Sequence, residues 1–217
     1  GVTAVISMPN TNPVTDQASV VAFILKRAEE TAVARVYPSG AVSKGMKAEE
    51  LSEMGLMAEA GIVAVTDGGR PVNDSDLLRQ GSDYGKRFDL LLMDHCEDPT
   101  LRGDMVEGMV SWELGLTGQP DMAEAIIVAR NILMAEFIDA PIHLQHISSK
   151  SSVELIRQAK ARGVKVSAET CPHYFVLTDE ACRGYQTYAK VNPPLKHEAD
   201  RLAIIEGLVD GTIDVIA

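Results

Sequence analysis

Two apolar runs in this chain end on histidine. Leu90-Leu-Leu-Met-Asp-His-Cys-Glu-Asp98 reads as a buried strand that stops at His95 among carboxylates, and Pro141-Ile-His-Leu-Gln-His-Ile147 carries His143 and His146 to the end of another. Unbroken runs of this kind need both faces covered, as in a parallel sheet with helices outside. The same pattern organises the rest of the chain. Thr3–Met8 is short, apolar and β-rich, and Pro9-Asn-Thr-Asn-Pro13 breaks it at once into a polar loop. From Val14 to Ala34 the apolar positions Val20, Val21, Ile24, Leu25 and Ala28 recur near the 3.6-residue period, opposite Lys26, Arg27, Glu29 and Glu30, which predicts an amphipathic helix. Strands follow at 34–38, 62–66, 89–94, 141–147, 165–169 and 212–217, with helices at 48–60, 74–87, 120–137, 151–162 and 199–209 between them.

Seven strands alternating with helices imply parallel strands joined by crossovers, either a doubly wound sheet or a closed barrel. A dinucleotide-binding sheet carries Gly-x-Gly-x-x-Gly after its first strand, and that motif is absent, which favours the barrel. We expect one α/β domain over residues 1–217, an incomplete (β/α)₈ TIM-type barrel. Its last strand, Thr212–Ala217, has no helix after it, so the chain looks cut at both ends.

Barrels put their chemistry at the carboxyl ends of the strands. Those ends supply Asn10, Ser39, Asp67, His95, His146 and Glu169, with Asn192 in a later loop. Imidazoles and carboxylates together suit a divalent ion such as zinc, which lowers the pKa of bound water and points to hydrolysis or its reverse. Neither a Gly-x-Ser-x-Gly elbow nor a cysteine nucleophile signature is present. Period-two alternation places His143 and His146 on opposite faces, which makes His146 the ligand and His143 a packing residue facing a helix. Asp94 is expected to be a solvent or capping carboxylate, Asp98 an N-cap, His173 a turn residue and His197 plain surface. Asn10, between prolines, is equally suited to an Asx turn or to substrate.

Composition narrows the function. With 20 basic and 31 acidic residues the net charge is −11, and no basic cluster offers a footprint for nucleic acid. No apolar stretch reaches the roughly 18 residues of a membrane span, and no basic n-region leads into an apolar h-region at the start. The three cysteines, Cys96, Cys171 and Cys182, have no Cys-x-x-Cys spacing, which fits a soluble protein in a reducing cytoplasm.

Several blocks then converge: Ile6-Ser-Met-Pro-Asn-Thr-Asn-Pro13, Thr66-Asp-Gly-Gly69, Asp94-His-Cys-Glu-Asp98, Gly118-x-Pro-x-x-Ala-Glu124, His143-Leu-Gln-His-Ile-Ser148, Glu169-Thr-Cys-Pro-His-Tyr174 and Lys190-Val-Asn-Pro-Pro-Leu195. In this order the chain resembles the class I bacterial dihydroorotases, which are metal-dependent amidohydrolase barrels. The resemblance implies one or two divalent ions, normally zinc, and the cyclisation of N-carbamoyl-L-aspartate to dihydroorotate in pyrimidine biosynthesis. It also implies that His95 and His146 are zinc ligands, that Asp67 is the carboxylate standing where relatives use a carboxylated lysine, and that Asn10 and Asn192 bind substrate.

Departures accompany the resemblance. The family usually shows two acids before the glycine of the fourth-strand block, whereas here Asp67 is followed by Gly68. Its His-x-His pair is expected upstream of Gly1 and its general acid/base Asp just after Ala217, so none of the residues given is the catalytic acid/base, and the segment alone is expected to be inactive. Two alternatives are a hydantoinase- or allantoinase-like cyclic amidase and a non-catalytic subunit scaffolding an aspartate transcarbamoylase. The fourth-strand end lacks the lysine of the first alternative, and the presence of His95 and His146 counts against the second. A homo-oligomer or a transcarbamoylase complex is the implied assembly.

Overall fold

Each apolar run becomes a strand, because a continuous stretch of branched side chains can be buried on both faces only if its backbone groups are paired within a sheet. In the computed structural model, which describes residues 1–217, the chain divides into two units: Gly1–His95 with Ala140–Ile142, and Cys96–Asp139 with His143–Ala217.

In the first unit β1 (Ala4–Ser7), β2 (Arg35–Gly40), β3 (Ala64–Val65) and β4 (Leu91–His95) lie side by side in chain order. Pairing is parallel throughout, with Ala4 opposite Arg35, Ser39 opposite Ala64 and Ala64 opposite Leu91. The connections are α1 (Ala18–Thr31), α2 (Met54–Ala60) and α3 (Ser75–Lys86). The stripe predicted for α1 is the one that packs, with Val20 and Val21 buried and Ile24, Leu25 and Ala28 half-buried. This helix starts four residues later than the period suggests, because Thr15 donates its N–H to the Pro9 carbonyl and its hydroxyl meets that of Thr11, which holds Val14–Gln17 in a loop. Likewise α2 is shorter than predicted: Lys44–Met46 forms a 3₁₀ turn and Ser43 bridges Leu51, so the amino-terminal half of that span is not helical. Asp74 caps α3 by accepting from the N–H groups of Asp76 and Leu77.

In the second unit the order is β7 (Ile142–Gln145), β8 (Val166–Thr170), β9 (Val215–Ile216), with Glu169 opposite Val215 in parallel register. A two-stranded parallel ribbon, β5 (Met105–Val106) with β6 (Gly118–Gln119), encloses α4 (Met109–Leu114), and none of the three was predicted. The remaining helices are α5 (Met122–Ile138), α6 (Lys150–Ala161), the short α7 (Pro172–Val176) and α8 (Glu198–Val209). Seven strands therefore stand where seven were expected, and the ribbon and α7 are additions.

His197 corrects one expectation. It is half-buried and anchors the start of α8, its Nδ1 lying 3.2 Å from Asp179 Oδ2 and its Nε2 3.2 Å from the Glu107 carbonyl. Gly108 permits this approach, since a Cβ there would come within 2.6 Å of the imidazole. Burial alone lowers the His197 pKa, but Asp179, the Glu107 carbonyl and Asp121 together outweigh it, and the net shift is upward from 6.5.

A folded-state pKa above the unfolded one means that this anchor contributes fully below 6.5 and is lost as pH rises through the folded value. The melting temperature of the protein should therefore fall between about pH 6 and about pH 8 by more than that of His197→Gln, whose profile should be flatter there. Parallel profiles would show that the anchor does not titrate.

Candidate active site

Strand ends are where backbone N–H groups run out of ladder partners, and in the first unit Asp67 answers that need. It follows β3, is buried, and accepts through Oδ1 from the N–H groups of Val42 (2.8 Å) and Ser43 (3.0 Å) and through Oδ2 from the Ser43 hydroxyl (2.5 Å). Burial raises its pKa, and the Ser43 and Val42 hydrogen bonds pull it part of the way back. Oδ1 is saturated by these donors, while Oδ2 keeps one lone pair. Ser39 is committed as well, donating its hydroxyl to the Ser7 carbonyl at 2.7 Å. His95 closes β4 and is 2% exposed. Asp94 is buried too, contrary to the solvent or capping role expected of it, because both faces of β4 are covered.

Asn10 projects from the loop after β1 into a cavity of about 420 Å³, which it lines with Thr11, Val14, Gly45, Met46, Gly69 and Arg70. The Gly68 backbone sits in the left-handed region at φ +66°, and Arg70 N–H returns to the Gly68 carbonyl at 2.7 Å, a tight turn that delivers the guanidinium to this cavity. Sequence reasoning had singled out Asn10 and missed Arg70.

The second unit holds the other candidates. His146 ends β7 at φ +40°, a strained value for a residue with a Cβ. That turn resets the alternation. His143 consequently does not pack toward a helix: its Nδ1 is 2.8 Å from Ser167 Oγ and its Nε2 3.3 Å from Glu169 Oε2, both on the β8 face opposite the buried Val166, Ala168 and Thr170. The turn after His146 is clamped by Glu124, whose carboxylate accepts from the N–H and hydroxyl groups of Ser148 and Ser149. Asn192 is exposed and donates its amide to Glu97 Oε2 at 3.1 Å, while Gln119 donates to Glu97 Oε1 at 2.8 Å. Glu97 thus holds the Asn192 side chain through its amide, a contact not read from the sequence although Glu97 lay within a quoted block. Asp98 folds back onto Thr100 rather than capping a helix, and His173 lies in α7 rather than in a turn, its ring tilted 59° to that of Tyr174 with centroids 4.1 Å apart.

No three His, Cys, Asp or Glu side chains of this chain come together as a group able to hold a metal ion. With Asp67 already turned to the Val42–Ser43 backbone, the residues present do not by themselves make up the expected zinc site.

Parallel strands in chain order, separated by helices and tipped with imidazoles and acids, define an α/β protein of the repeated strand–helix class. Solved structures share this fold: L-hydantoinase (dihydropyrimidinase) from Arthrobacter aurescens superposes with a TM-score of 0.85 at 23% identity, covering 100% of this chain and 50% of that one, and a D-hydantoinase with 0.78 at 24%, covering 99% and 50%. The chain belongs to the dihydro-orotase-like family, whose model matches residues 1–152. It is 53% identical over 219 aligned positions to the dihydroorotase of Acetivibrio thermocellus and 51% identical to that of Ruminiclostridium cellulolyticum, in each case over 100% of this chain and 51% of the relative. The chain spans about half the length of the curated relatives it matches.

The hydrogen bonds of Asp67 generate a test. Asp67→Ala strands three donors and should cost about 1–3 kcal/mol in urea unfolding, whereas Asp67→Asn, which can still accept at Oδ1, should recover most of it. Because the folded pKa is raised, protonated Asp67 favours the folded state, and that contribution declines as pH rises from 3.8 toward the folded value. Asn matching wild type in stability while lowering bound metal would instead make Asp67 a ligand.

Proposed function

We propose that the protein is a dihydroorotase, which cyclises N-carbamoyl-L-aspartate to dihydroorotate and catalyses the reverse hydrolysis in pyrimidine biosynthesis. The observation that carries this reading is the identity of about half of all positions with proteins named dihydroorotase along the whole of this chain. In the forward direction the ureido nitrogen attacks the side-chain carboxyl carbon, a C–N bond forms, a C–O bond breaks and water leaves. Asn10 and Asn192 supply amide contacts that orient the substrate, the second held in place by Glu97.

Zinc, one ion or two, is the cofactor this reading implies, with His95 and His146 as the imidazole donors of this chain and Asp67 as a carboxylate donor only through the remaining lone pair of Oδ2. The donor set here is incomplete, and no chemical step is assigned to the ion. A cytoplasmic enzyme acting on a small molecule, alone, as a homo-oligomer or beside an aspartate transcarbamoylase, completes the proposal. No helix is long and apolar enough to cross a membrane. The hydantoinase alternative rests on fold alone, at identities of 23 and 24%.

The purified full-length protein should interconvert N-carbamoyl-L-aspartate and dihydroorotate and lose activity to a chelator, with zinc restoring it. His95→Ala and His146→Ala should each lower both zinc content and turnover, and His143→Ala should leave zinc content closer to wild type. Preferential turnover of hydantoin or allantoin would move the protein to the other class, and unchanged zinc content in the first two variants would remove them as donors.

A further inference from the structure

We infer that Tyr174 and Lys196 are positioning residues for the proposed reaction, two buried pins that hold the Asn192-Pro193 segment where the Asn192 amide meets the substrate. This rests on the dihydroorotase reading above, with Asn192 as a substrate contact. Glu97 holds the Asn192 side chain, but a side chain is placed no better than the backbone that carries it, and Asn192 stands exposed outside any helix or strand. Residues 193–196, which follow it without regular structure, are all buried. Buried chain of that kind needs anchors other than a ladder.

The first anchor is at Pro193. Proline has no N–H, so its carbonyl is the backbone group by which it can be held. Tyr174 Oη donates to that carbonyl at 2.7 Å. The ring is 3% exposed and packs with Ala189, Val191 and Leu195, on both sides of Asn192. Burial, with Glu124, Cys171 and Glu97 nearby, raises the phenol pKa, so the hydroxyl keeps the proton it donates.

The second anchor is at Lys196. Its side chain is 2% exposed, with Nζ 3.5 Å from Asp121 Oδ1, and no hydrogen bond within the chain satisfies either atom. A lysine so enclosed persists only against an opposite charge. Its carbonyl also accepts the Asp179 N–H at 2.9 Å. Asp121 is the N-cap residue of α5, and one turn on Glu124 clamps Ser148 and Ser149 directly after His146. The segment bearing Asn192 and the turn after His146 are therefore both tied to the start of one helix. Neither pin is itself a substrate contact: the hydroxyl is engaged by Pro193 and the ammonium faces Asp121, so both act on a ligand only through Asn192.

The test uses the purified full-length protein. Tyr174→Phe removes one hydroxyl from a packed ring and should raise KM for dihydroorotate by roughly three- to tenfold, with a smaller change in kcat. Lys196→Met should raise it further, and Lys196→Arg, which keeps the charge, should recover most of the loss. In an Asn192→Ala background Tyr174→Phe should leave KM unchanged, because the contact it places is already gone, while its effect on urea unfolding should be the same with and without Asn192. Hydrogen exchange read by peptide mass needs no turnover: residues 186–198 should exchange faster in Tyr174→Phe than in wild type, and α5 should not. Unchanged KM in Tyr174→Phe, an equal rise in KM with and without Asn192, or unchanged exchange over 186–198 would each overturn the inference. A wild type that turns over neither substrate, with exchange quickened in Tyr174→Phe over 186–198 alone, would sustain the pins and overturn the dihydroorotase reading instead.

Discussion

Where a parallel strand ends, its successor residues present N–H groups with no neighbouring carbonyl, and leaving them buried and unpaired costs on the order of 1–3 kcal/mol each. This protein meets the constraint twice with a buried carboxylate. In the first unit Asp67 takes the N–H groups of Val42 and Ser43, and in the second Glu124 takes those of Ser148 and Ser149. In both a serine hydroxyl closes the arrangement at 2.5 Å. These clamps fix the loops from which the functional side chains are presented: the Ser43 clamp borders the turn that places Gly45 and Met46 in the Asn10 cavity, and the Ser148 clamp follows directly on His146.

The same residue cannot freely serve two masters. A carboxylate saturated at Oδ1 by backbone donors is a poor partner for an ion unless the ion uses the other oxygen, and that bears directly on the missing second acid at Gly68. With glycine there, the turn gains conformational freedom and Arg70 gains its route to the cavity.

Much of this was legible before any coordinates. The seven main strands fall on the apolar stretches marked for them, even where only two residues pair, as in β3 and β9, and α3, α5, α6 and α8 lie close to their predicted spans. The β5–β6 ribbon was invisible because Met105–Val106 stands between Asp104 and Glu107, and Gly118–Gln119 between Thr117 and Pro120, with no apolar run around either. Alternation put His143 on the wrong face because it was counted through His146, whose positive φ breaks the count. The role of Asp67 depends on a serine 24 residues earlier in the chain, and Arg70 stands in a glycine turn without hydrophobic pattern, so neither had a local signature.

The backbone of His146 has a consequence for how this sequence can change over evolutionary time. A side chain held at φ +40° is tolerated against its own preference, and glycine or asparagine would relieve the turn while removing the imidazole. On the proposed role of His146 as an imidazole donor, stability and chemistry select in opposite directions at this one position. A lineage in which that role ceased to matter would be expected to drift away from histidine here before the surrounding core showed any sign of release.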